Sequence, residues 1–134
     1  MELAKIIDKH SGDKNIRTNI LIEVNLTEEN TKNGIQRKDT LNLVKELRRL
    51  AYLKLLGLMA MPPLAKEPEE NRKYFRELKE LLEEINGKGI YGSKLNTLSM
   101  GTSHDFEVAV EEGATIVRLG TVVFGKRPQK DAYK

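Results

Sequence analysis

Four short apolar segments, residues 20–26, 55–61, 95–100 and 114–119, alternate along the chain with stretches in which apolar residues recur every three or four positions. This rhythm leaves few folds open. A strand buried on both faces of a parallel sheet reads as a nearly continuous apolar run, whereas the helix that carries the chain back to the next strand shows a single apolar face. Residues 20–26 (ILIEVNL) are β-branched and apolar, as a central strand requires. After them, Leu41, Val44, Leu47, Leu50 and Ala51 repeat at helical spacing, with Asp39 placed as an N-cap. Pro68 opens a second helix, with a buried stripe predicted at Tyr74, Leu78, Leu81, Leu82 and Ile85 and an end at Asn86, Gly87 and Gly89. Phe106, Val108, Ala109 and Val110 mark a third, which Gly113 stops as a left-handed C-cap. A short helix over residues 2–9, with Leu3, Ile6 and Ile7 on one side, comes before the first strand, and a turn at Ser11-Gly12-Asp13 follows it. Residues 122–125 allow one more helical turn. The predicted class is α/β, with four parallel strands alternating with helices through right-handed crossovers. Spacing alone fits either a small open sheet or one half of a (β/α)8 barrel.

With 39% apolar residues, the 134-residue chain supports one domain, predicted over residues 1–127, followed by a charged tail at 128–134. The net charge of +3 comes from that end, where Lys126, Arg127, Lys130 and Lys134 face only Asp131. The rest of the chain is balanced, and with three Phe and no Trp it offers little for base stacking, so no nucleic-acid partner is expected. No apolar run approaches the roughly 20 residues that span a bilayer, and the charged start is unlike a signal sequence, so no membrane partner and a cytoplasmic location are expected. The absence of cysteine removes disulfides and thiolate chemistry. His10 and His104 lie in different units without ligand spacing, so no metal site is predicted. No nucleophile elbow, Walker loop or dinucleotide fingerprint occurs.

Ligands of α/β folds bind beyond the carboxyl ends of the strands, and in barrels a phosphate commonly sits in the last two such loops. Here those loops read Ser99-Met100-Gly101-Thr102-Ser103-His104-Asp105 and Arg118-Leu119-Gly120-Thr121. Each combines glycine, which lets a ligand approach the backbone, with hydroxyl and amide donors at a helix start, so an anion fits between them. Ser103 also suits a plain N-cap with Asp105 as a first-turn acid, and Gly120 a plain turn. Arg118, at the end of an apolar strand, needs an acceptor, which a ligand atom or a carboxylate would supply. Lys32, in the polar loop after the first strand, is either a surface lysine or an amine that reaches an anion or aldehyde.

Taken together, Val24-Asn25, residues 29–35 (ENTKNGI), Gly57-Leu58-Met59-Ala60, Leu98-Ser99-Met100-Gly101-Thr102-Ser103 with Asp105, Val117-Arg118-Leu119-Gly120-Thr121 and Phe124-Gly125 resemble the pyridoxal phosphate homeostasis proteins, the YggS/PROSC family. The resemblance runs from Glu2 to Arg127. It implies a TIM-like barrel related to the N-terminal domain of alanine racemase, binding pyridoxal 5′-phosphate (PLP) for cofactor homeostasis without a catalytic residue. It also implies that Ser99 and Ser103 with Gly120 and Thr121 form the phosphate cup, that Met100 is among the cofactor-binding residues, and that Arg118 faces the pyridine nitrogen. A permanent cation there disfavours protonation of the ring and weakens it as an electron sink, which suits a carrier. The family's early V-S-K-T strand, whose lysine takes the cofactor aldehyde, has no counterpart here, nor do its GEN and H-F-I-G-x-L-Q blocks. The chain therefore resembles the C-terminal half of such a barrel, and three expectations follow from that. PLP is held weakly or non-covalently, with Lys32 as a substitute amine. The half barrel pairs with itself as a homo-oligomer, or with a separate N-terminal half. Function is PLP binding, with two alternatives: a non-catalytic assembly fragment, or part of a fold-type III PLP enzyme such as a racemase.

Overall fold

Pairing register shows which face each strand residue takes. The computed structural model describes residues 1–27 and 33–126, in which all strands run parallel in the order β2-β1-β3-β4-β5. These strands are β1 (Thr18–Asn25), β2 (Ile35–Gln36), β3 (Leu53–Met59), β4 (Thr97–Thr102) and β5 (Ile116–Arg118). Ile22, Leu58 and Leu98 stand side by side across β1, β3 and β4, and all three are buried. One residue further along, Glu23, Met59, Ser99 and Ile116 form the next row, on the opposite face. The side-chain period of two therefore separates an apolar face from a mixed one.

Helices cover the apolar face. They are α1 (Glu2–Asp13), α2 (Arg37–Leu47), α3 (Arg72–Gly87) after a 3-10 turn (Pro68–Asn71), α4 (Phe106–Glu111) and the four-residue α5 (Thr121–Phe124). Val44 and Leu47 of α2, and Phe75, Leu78, Leu81, Leu82 and Ile85 of α3, join Val24, Leu55, Met100 and Ala109 in one buried cluster. Each fully buried side chain of this kind contributes about 1.5–3 kcal/mol of transfer free energy.

Several expectations shift. The α3 stripe uses Phe75 in place of Tyr74, which is half-buried, because the neighbouring ring is wholly apolar and completes the same face. The first helix does not turn at residues 11–13 but runs through them. Ser11 is buried there, 2.7 Å from the Thr18 hydroxyl, and Gly12 admits the ring of Tyr52, so this glycine serves close approach. The left-handed turn falls instead at Asn15, with φ 51°. Helix α2 starts two residues before Asp39, with Gln36 at the N-cap position. The two-residue β2, a fifth strand beside the four expected, pairs with Val24 and Asn25. Gly113 does adopt the left-handed conformation, with φ 98°. The tail at 128–134 and Lys32 lie outside the described residues. Among the described residues, no helix is long and apolar enough to cross a membrane.

Two glycines shape the end of the sheet that carries the candidate site. A Cβ at Gly57 would lie 1.8 Å from the Thr97 carbonyl oxygen, so β3 approaches β4 as only glycine permits. Gly101, with φ 91°, sits where the β4–β5 register shifts, and a Cβ there would lie 2.6 Å from the Ala109 Cβ. It re-aims the residues that follow, 102–105, toward β5.

Candidate functional site

Ser103 and Gly120 meet beyond the carboxyl ends of β4 and β5, and Arg118 is the last residue of β5. Ser103 does not cap α4, because Asp105 takes the N-cap position. Its Oγ instead accepts the backbone N–H of Gly120 at 2.8 Å and that of Val122 at 3.2 Å. With both lone pairs so used, the hydroxyl proton is free to point outward. A Cβ on Gly120 would meet no atom within 4 Å, so the space beside this cluster is open. Among the described residues, the Thr121 N–H and hydroxyl donate to no acceptor, and Thr121 is exposed at the same edge. The donors that remain, the Ser103 hydroxyl and the Thr121 N–H and hydroxyl, suit a phosphate oxygen.

Arg118 finds acceptors other than the ligand or carboxylate expected. Its Nη1 donates to the Ser99 carbonyl at 3.1 Å and to Ser99 Oγ at 2.6 Å, and its Nη2 donates to the Ala60 carbonyl at 2.9 Å. Nη2 also lies 2.8 Å from Met61 Sδ. The guanidinium thus bridges the ends of β3 and β4. Burial pushes it down from the ordinary arginine range, opposed by the charges of Glu23 and Asp105.

The remaining predicted residues fall in two places. Ser99 is buried with its hydroxyl on Arg118, so it reaches a ligand only through that arginine as the site stands. The Met100 side chain is fully buried in the helix-facing core, which leaves its backbone alone to face the site. His104 is exposed, and among the described residues no group of three or more His, Cys, Asp or Glu side chains is placed to hold a metal ion.

Sequence reasoning missed Asn71. Its Nδ2 donates to the Pro63 carbonyl at 3.1 Å and to Asp105 Oδ2 at 2.7 Å, and both side chains are buried. Its signal was a polar residue on the apolar side of the helix that Pro68 opens. Between this pair and Met61 lies a cleft of about 200 Å³, walled by Pro62, Pro63 and Leu64.

Comparison with known proteins identifies the family and the fold. The family of the alanine racemase N-terminal domain matches residues 1–128. A pyridoxal phosphate homeostasis protein of Aquifex aeolicus is 48% identical over 125 residues, covering 93% of this chain and 54% of the relative. One of Escherichia coli is 38% identical over 109 residues, covering 81% and 45%. The structure of PipY from Synechococcus elongatus with PLP bound superposes with a TM-score of 0.83 at 29% identity, covering 92% of this chain and 57% of that one. An alanine racemase of Clostridium difficile shares the fold, with a TM-score of 0.75 at 20% identity over 99% of this chain and 36% of that one. The chain spans about half the length of the curated relatives it matches.

Proposed function

Because the chain belongs to the alanine racemase N-terminal domain family, among the pyridoxal phosphate homeostasis proteins, we propose that it binds pyridoxal 5′-phosphate and takes part in its homeostasis. The observation that carries the reading is Ser103, whose Oγ gathers two backbone amides of the loop after β5 beside open space. The Ser103 hydroxyl proton and the Thr121 N–H and hydroxyl would hold the phosphate, with Gly120, its N–H on Ser103, leaving the space open for it. Arg118 would stand toward the pyridine ring as a fixed cation, already braced by the Ser99 and Ala60 carbonyls. Bound PLP supplies an aldehyde and an electron-withdrawing ring, and a permanently charged guanidinium beside that ring weakens its electron demand. The chain's own part is to bind and orient, as a carrier in the cytoplasm without a catalytic residue.

We propose in addition a partner that completes the barrel, either a second copy or a separately supplied N-terminal half. Two surfaces fit such a partner. An apolar groove of about 230 Å³, walled by Leu3, Ile7, Ile20 and Leu43, lies beside β1, and Ile116, Val122, Val123 and Phe124 are exposed around β5.

The test is the affinity of Ser103→Ala for PLP and for pyridoxal, which lacks the phosphate. Losing one charge-assisted hydrogen bond should weaken PLP about tenfold or more and leave pyridoxal unchanged. Equal affinities of the wild type for the two ligands would refute the reading.

A further inference from the structure

We propose that Asn71 is a positioning residue for the anion site, holding the turn that presents Ser103 although it touches no part of the site itself. The idea rests on the assignment of Ser103 as the anion-binding hydroxyl. The turn at residues 102–105 is closed by Asp105 N–H to the Thr102 carbonyl at 3.1 Å. Asp105 Oδ1 accepts the Thr102 N–H at 2.8 Å and the Thr102 hydroxyl at 3.2 Å. Both of these bonds are internal to the turn, so they fix its shape and not its direction. Outside the turn the Asp105 carbonyl accepts the Ala109 N–H of α4 at 3.0 Å, and its side chain accepts Asn71, across 34 positions of sequence. Asn71 is in turn anchored to the Pro63 carbonyl and sits where the 3-10 turn meets α3.

Asn71 and Asp105 are 3% and 5% exposed, so water does not replace their bond when it is lost. A buried carboxylate stripped of one donor turns toward another donor, and the turn that carries Ser103 turns with it. The same amide ties the connection between β3 and α3 to the site, and Arg118 does so a second time through the Ala60 carbonyl and Met61. The connection is therefore fastened at both ends of its proline segment. A purely structural residue at this place would, on losing its bond, lower protection throughout α3 as well, whereas a positioning residue confines the loss to the turn and the loop after β5.

Amide hydrogen exchange of the unliganded chain, read as protection factors by NMR, tests the idea without cofactor. In Asn71→Leu the Thr102, Gly120 and Val122 amides should lose protection about tenfold, while those of Leu78 and Leu82 in α3 keep theirs. In Asn71→Asp two carboxylates face one another, with the Arg118 charge felt by Asp105, and one must carry a proton to restore the bond, so protection at the three amides should return as the pH falls. Unchanged protection in Asn71→Leu would overturn the proposal. Should that variant not fold, a flat pH profile in Asn71→Asp would do so. PLP titration separates the two ideas. Reduced PLP affinity in both variants at pH 8, with pyridoxal unaffected, extends the tether to the phosphate. Loss of protection in the variants of a wild type that binds no PLP leaves the tether standing and removes the functional reading.

Discussion

Replacing Gly57 by alanine tests how closely β3 and β4 are joined beneath the site. The new Cβ would lie 1.8 Å from the Thr97 oxygen and 2.6 Å from its carbonyl carbon, both backbone atoms that no rotamer change can move. Reaching an ordinary C···O contact of about 3.3 Å requires a separation of roughly 1.5 Å. That displacement breaks the flanking bonds from Asn96 N–H to the Leu56 carbonyl and from Ala60 N–H to the Ser99 carbonyl, each now 3.1 Å. Two lost backbone bonds at about 1 kcal/mol each, with overpacking strain of about 1–3 kcal/mol, give a destabilisation of about 3–5 kcal/mol. Set against a typical domain stability of about 5–15 kcal/mol, this is a large fraction. In urea unfolding followed by circular dichroism, the midpoint should fall by roughly 2 M at a slope of about 2 kcal/mol/M. Gly87→Ala is the control, since nothing lies within 4 Å of its added Cβ and helix propensity favours alanine by about 1 kcal/mol. A Gly57→Ala midpoint equal to wild type would refute the strand geometry.

Two further predictions concern charge and assembly. Arg76 and Arg72 hold the Glu112 carboxyl down at about 2 from an ordinary 4.5, so its stabilising contribution is full above pH 4.5 and is lost as the pH falls toward 2. Thermal unfolding should show Glu112→Gln less stable than wild type at pH 7 and indistinguishable from it near pH 2. An equal gap at both would exclude the ion pairs to α3 as its cause. Light scattering after size exclusion should report a dimer if a second copy completes the barrel, and a cooperative monomer would leave that role to a separate half.

Much of the architecture was legible because it rests on strong periodicity. The runs around Ile22, Leu58 and Leu98 are the middle of the sheet, and Leu78, Leu81, Leu82 and Ile85 pack as their spacing requires. The two-residue β2 escaped notice because so short a strand has no period. Gly12 resembled a turn because composition does not distinguish a glycine that bends the chain from one that admits a ring. At the site, residue types marked Ser103, Arg118 and Gly120, but partners separated by tens of residues could not be read. The carbonyls that hold Arg118 and the Asn71–Asp105 bond are products of tertiary structure.

The central claim is that the loops after β4 and β5 bind a phosphate carried by a pyridine ring. Equilibrium dialysis of the chain against PLP, pyridoxal and inorganic phosphate separately tests it most directly. PLP should bind at least about tenfold more tightly than either of the others, since it alone engages both the donors at Ser103 and Thr121 and the cation at Arg118. Equal retention of PLP and pyridoxal, or retention of none of the three, would contradict the account.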